Sequence, residues 1–290
     1  MRGIKIILVC VFATICKSAF PQNNNSVLLK WKLKPNEVLS YKTVMEQIDT
    51  ANQNGFNITG FMKSLGMDSA INAADAQKIL DQLKSITNRS NLITQLSEKS
   101  KGLIDVTTTA KADESKSDTN SKSNEMLQIL NKMNGGVMLR GKISENGTIE
   151  SFYTKADQKN ILAMFFELPG RSIKQGDTWS LSVNLLTADQ NFKCDSSSKK
   201  NVVTALKIEN KGGEHLVTLK YDIAEYINGD FISPVSQGPI KTTMRMTFQA
   251  LAVFSIEKGK WVTYEGLGTM VSSGIMTSNF KTKYSLSEIK

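Results

Sequence analysis

The chain holds one histidine, His215, and only one cysteine beyond its first 20 residues, Cys194. A thiolate nucleophile and an imidazole base 21 positions apart could meet across a hairpin. Neither comes with an orienting third group. Cys194 lies in the polar run Lys193-Cys-Asp-Ser-Ser-Ser-Lys-Lys200, and His215 follows Gly212-Gly213, the place of an exposed hairpin residue. A lone histidine cannot build a histidine-rich metal site. A lone cysteine gives neither a zinc cluster nor an internal disulfide.

The remaining candidates read more simply as architecture. Asp222, Glu225 and Asp230 form no pair recognisable as a glycosidase couple, and Asp222 and Asp230 flank what reads as an Asn228-Gly229 turn. Gly176-Asp177-Thr-Trp179 places a carboxylate beside an aromatic, as some sugar and cation sites do. Pro35-Asn36-Glu37 repeats the turn chemistry without the aromatic, which makes Gly176-Asp177 a turn and Trp179 a core anchor. Gly266-Leu-Gly268 lacks the strand-glycine-helix setting of a phosphate loop. The residues offer no catalytic, cofactor-binding or metal-ligating set, and the sequence points to a protein that is not an enzyme.

The elements that would position these residues are mostly strands. Val38, Ser40 and Lys42 alternate with Leu39, Tyr41 and Thr43, and Trp179, Leu181 and Val183 share one face. Glu145-Asn146-Gly147 and Glu257-Lys258-Gly259 read as hairpin turns, and 261–287 as two strands broken near Ser273-Gly274. Helical spacing predicts amphipathic helices over 72–86, 124–133 and 155–168, the last capped by Thr154 and stopped by Pro169-Gly170. The polar stretches 111–124 and 193–200 read as loops. The fold class is α+β, mostly antiparallel β.

Four blocks recur in order. Lys34-Pro-Asn-Glu37-Val-Leu-Ser-Tyr41 lines up with Lys174-Gln-Gly-Asp177-Thr-Trp-Ser-Leu181, and Asn91–Leu96 with Asn201–Leu206. The Lys101-Gly102 and Lys211-Gly212 turns follow, leading into Leu103–Ala110 and Leu216–Ala224, and Gly141–Gly147 matches Val253–Gly259. The expectation is a first β-rich repeat over 20–150 with a helical insertion at 56–87, a linking helix at 151–168, and a second repeat over 169–290. Two similar halves would form large curved sheets.

Residues 1–19 read as a signal peptide. Arg2 and Lys5 precede an apolar run from Ile6 to Cys16, too short to span a bilayer, and Lys17-Ser18-Ala19 ends it. Val9 and Ile15 precede Cys10 and Cys16 where lipoprotein processing wants a small residue, which argues against a lipid anchor. The chain beyond the leader carries 33 basic and 27 acidic residues, a charge of +6, with lysines spread throughout. That distribution is a solvated surface and not a nucleic-acid footprint. No later segment is apolar enough to cross a membrane as a helix. The expected location is periplasmic or extracellular, with association to the outer membrane left open.

The signal, the Leu29-Lys-Trp-Lys-Leu33 start with its turn, Leu168-Pro169 leading to Gly176-Asp177-Thr-Trp179, and the Phe254–Gly259 hairpin together resemble an exported Bacteroidetes protein family, a domain of unknown function. The resemblance implies a β-rich exported fold and carries no activity. Three functions compete. A cell-envelope binding or structural module could curl its sheet round lipid or another apolar ligand, with methionines such as Met62, Met67, Met126, Met133 and Met164 as an adaptable lining. An interaction protein could hold another envelope protein by strand edges or the 111–124 loop. A glycan or peptide hydrolase would need a cleft carboxylate of raised pKa.

Overall fold

The computed structural model describes residues 26–48, 89–100, 102–111, 137–153, 159–186, 191–232, 238–274 and 277–289. The expected helices at 72–86 and 124–133, the insertion at 56–87 and nearly all of the 111–124 loop lie outside these residues.

The described chain is dominated by one antiparallel sheet. In order along the chain the strands are β1 (Val27–Leu28), β2 (Val38–Ile48), β3 (Arg89–Ser100), β4 (Leu103–Lys111), β5 (Val137–Ser144) and β6 (Ile149–Tyr153). After helix α1 (Lys159–Phe166) come β7 (Ser172–Ile173), β8 (Thr178–Trp179), β9 (Phe192–Lys211), β10 (Glu214–Phe231), β11 (Ile240–Ser255), β12 (Lys260–Ser273) and β13 (Ser278–Ile289). Eleven strands form one sheet in the order β6-β5-β4-β3-β2-β13-β12-β11-β10-β9-β8, while β1 and β7 pair separately. Each neighbour in the large sheet is a chain neighbour except at its middle, where β13 lies against β2 with Lys281 opposite Ile48 and Ile289 opposite Ser40.

One face of the sheet is the core face. Alternation places Leu39 and Tyr41 on it in β2, Leu92 and Leu96 in β3, Val217 to Ile223 in β10, Phe248 to Phe254 in β11, and Tyr264 in β12, all nearly fully buried. Helix α1 packs against this face. After Lys159 and Asn160 it is wholly apolar, and Leu162, Ala163, Phe165 and Phe166 are at most 1% exposed. Gly266 and Gly268 leave room for rings on the same face. A Cβ on Gly268 would sit 2.8 Å from the Tyr284 ring.

Three expectations change. The linking helix is shorter than 155–168: residues 151–153 still belong to β6, the described helix begins at Lys159, and it ends at Phe166. Residues 193–200 are strand, not loop, paired along β10 from Lys193 opposite Asp230 to Lys200 opposite Ala224. Both faces of that stretch are solvated, so it carries no apolar alternation for sequence to show. Asn228-Gly229 is no turn; it lies inside β10, where the β9 register shifts by one residue at Asp195. Gly229 is required there because a Cβ would collide with the Lys193 carbonyl. Eleven strands share one continuous large sheet, with the β1–β7 pair apart from it.

Candidate functional site

The interior is aromatic where helix α1 sits. Trp31, Phe254, Trp261, Tyr264 and Phe165 meet in a chain of edge-on contacts, with centroids 5.0–5.9 Å apart. Three of these rings also hold the end of the helix. Trp31 Nε1 donates to the Phe166 carbonyl at 3.0 Å, Trp261 Nε1 to that of Phe165 at 2.7 Å, and Tyr264 Oη to that of Met164 at 2.8 Å. The terminal carbonyls of a helix have no partner within it, and here buried side chains supply one for each of the three. Tyr41 Oη accepts from the Trp261 backbone N–H. Burial pushes the Tyr41, Tyr221 and Tyr264 hydroxyls well above the ordinary tyrosine pKa, so all three are neutral donors or acceptors.

Away from the helix the same face changes character. Continuing the alternation of Phe248, Tyr264, Tyr284 and Tyr41 brings Met246 and Met244 in β11, Met270 in β12, Phe280 in β13 and Met45 in β2 onto the core face. Met246 lies opposite Met270, and Met270 opposite Phe280, so three neighbouring strands contribute one apolar row. All five side chains are half-buried, unlike the sealed aromatic zone. The row ends on β10 at Glu225, which lies opposite Met246.

Glu225 is only 4% exposed and is paired with Lys199 at 3.0 Å. It belongs to a polar cluster that fastens the strap Leu181–Leu186. Asn201 grips both backbone groups of Leu181, Lys199 Nζ donates to the Val183 carbonyl at 2.6 Å, Asn160 accepts from Asn184 N and donates to Asn184 O, and Glu225 accepts from Leu186 N. Glu167 receives both the N–H and the hydroxyl of Ser182, and burial still raises its pKa above the usual carboxylate value. The strap is thus held by side-chain hydrogen bonds, and Leu181 and Val183 seal the core beside β9.

The residues singled out by chemistry are dispersed. His215 lies at one end of β10 opposite Asn210, and Cys194 sits sixteen positions farther along β9, opposite Gly229. At ~3.3 Å per strand residue they are roughly 50 Å apart. The hairpin approach open to a thiol and an imidazole is not made. His215 is half exposed, its Nδ1 2.6 Å from Glu257 Oε1, and this bond depresses the Glu257 pKa. Cys194 is exposed. Asp222 pairs with Lys200, and Asp230 with Lys241, which also holds Asp195. Asp177 Oδ2 accepts from Lys174 N at 3.0 Å and from Arg171, and its pKa is lowered. Trp179 packs against the core cluster, as a sheet anchor does. Gly266 and Gly268 lie mid-strand. Met164, weighed as a groove residue, is buried in α1.

Among the described residues no group of three or more His, Cys, Asp or Glu is placed to hold a metal, and no helix is long and apolar enough to cross a membrane. The methionine row and the Glu225–Lys199 cluster went unremarked in the sequence, although the Met244-x-Met246-x-Phe248 alternation was there to be read. No protein-family model, curated protein or solved structure matches the chain.

Proposed function

We propose that the chain is an exported cell-envelope protein that binds rather than catalyses, and that its ligand is a lipid or similar apolar molecule held on the methionine-bearing part of the core face. The observation that carries this reading is the half-buried row Met246, Met270 and Phe280, flanked by Met244 and Met45, on a sheet face that helix α1 fills elsewhere. Unbranched, polarisable methionine adapts to ligands of varied shape, and it suits a site that grips by contact alone. The basic, apolar and small-residue order of residues 1–19 supports export.

The same reading includes an internal duplication, with β2–β6 and β8–β12 as two copies and β13 as the strand that joins them. The two opening turns match in detail. Lys34 N donates to Glu37 Oε2 at 2.7 Å and Lys174 N to Asp177 Oδ2 at 3.0 Å, with positive φ at the third residue of each, Asn36 and Gly176. The packing is also reciprocal. A Cβ on Gly147 of the first half would strike Leu168, which leads into the second, and one on Gly259 of the second would strike Lys32, which leads into the first.

The test is to express the chain with its own leader, recover it from the envelope under mild conditions and extract it with solvent. Lipid should be released from the parent and reduced several-fold in Met246→Gln/Met270→Gln. A clean extract from folded parent protein removes the reading.

A further inference from the structure

The opposite, outward face of the sheet carries a groove of about 710 Å³, within the size range of small-ligand sites. Leu206, Leu251, Leu267 and Ile48 line it, each 37–54% exposed, although outward positions of an antiparallel sheet are ordinarily polar. They sit on β9, β11, β12 and β2, so the aliphatic track runs across the strands. At ~4.8 Å per strand spacing it extends roughly 24 Å, the reach of a long acyl chain. Leu206 is aimed at it by a bulge, the extra residue between the Thr218–Lys207 and Leu219–Ala205 pairs.

Charge is placed along the same track. Lys220 and Lys283 line the groove with Glu265, and no described carboxylate lies within ion-pair distance of either lysine. Other lysines of the sheet are engaged, Lys200 with Asp222, Lys207 with Glu209 and Lys260 with Glu288. The occupant's chemistry follows from what the floor lacks. Strands β10 to β13, which make the floor between Leu206 and Ile48, are hydrogen-bonded on both sides and offer no free backbone groups. A peptide laid there would leave its own N–H and C=O groups unpaired, at a desolvation cost a hydrocarbon does not incur.

We propose that this outer groove binds a single-chain anionic amphiphile, its acyl chain along Leu206, Leu251 and Leu267 past the Lys220 side chain and its anionic head at Lys283, on the strand beyond Leu267. The site is separate from the core-face reading and stands or falls without it.

The test is titration of the folded chain with oleate and with oleyl alcohol, below the concentration at which either self-associates. The altered leucine and lysine side chains point outward, and an unchanged unfolding midpoint confirms that each variant is folded. Leu251→Gln/Leu267→Gln should weaken both ligands at least tenfold. Lys220→Ala/Lys283→Ala should weaken oleate at least tenfold and leave the alcohol within about twofold. Failure of the parent to bind oleate overturns the proposal, as does binding that neither double variant alters. Oleate affinity lost only in Met246→Gln/Met270→Gln places the ligand on the core face, which overturns the outer site and supports the other reading. Attachment to anionic vesicles without uptake of free oleate also overturns it, in favour of a bilayer surface.

Discussion

Trp31 donates its indole N–H to the carbonyl of Phe166, 135 positions along the chain, and so fixes the segment ahead of the sheet to the end of the only described helix. Trp261 makes the same bond from the other side to Phe165. The two rings lie edge-on at 5.9 Å, so the helix end is clamped by one continuous aromatic wall.

Removing one clamp isolates its worth. Trp261→Phe keeps an aromatic ring but leaves the Phe165 carbonyl buried and unpaired, a cost of about 1–3 kcal/mol. Tyr264→Phe, which frees the Met164 carbonyl, should cost a similar amount. Because the rings touch, the double variant should depart from additivity. Urea unfolding of the four proteins measures all of this.

The glycine at position 268 makes space for Tyr284. Gly268→Val should destabilise by about 1–3 kcal/mol through overpacking. The contact is with the ring's Cε2, so Tyr284→Phe should not rescue it, whereas Tyr284→Leu should recover part of the loss. Thermal or urea midpoints of the single and double variants distinguish these outcomes.

Two carboxylates give stability opposite dependences on pH. The Glu167 pKa is raised by burial, so the folded state keeps its proton longer than the unfolded chain does. Its contribution is present below the ordinary carboxylate value and is lost as pH rises through the folded one. Glu257 is depressed by His215, so its contribution is present above the ordinary value and is lost as pH falls through the folded one. Glu167→Gln should therefore flatten the mildly acidic limb of the stability curve, and Glu257→Gln should flatten the limb at lower pH. Unfolding midpoints between about pH 3 and 7 read both.

The strap depends on one amide for two of its bonds. Asn160→Ala removes its bonds to both backbone groups of Asn184, so hydrogen exchange should accelerate at Asn184 and its neighbours while the β10–β11 ladder stays protected. Uniform acceleration across the sheet would mean that the strap is no separate unit.

The hairpins were legible because each carries its own local chemistry. Glu145-Asn146-Gly147 and Glu257-Lys258-Gly259 join β5 to β6 and β11 to β12, and the break near Gly274 separates β12 from β13. The mostly antiparallel fold followed from such turns. What failed was structure imposed from outside the segment. Lys193–Lys200 is strand because β10 offers it a ladder, and Asn228-Gly229 is straightened into the sheet by pairing on both sides. Helix α1 was visible, but its stop at Phe166 was not, since its last carbonyls are satisfied by indoles and a phenol remote in sequence. The strap was illegible for a similar reason: Asn160, Lys199 and Glu225 act together only after three elements converge.

The seam between β13 and β2 sets a schedule for assembly. Ile48 waits for Lys281 as its neighbour, so one side of β2 stays unsatisfied through most of synthesis. Such a long-range closure is slow to nucleate, and until it happens β2 is an open template for other chains. The centre of the sheet therefore cannot set before the strand made last among those described has been synthesised.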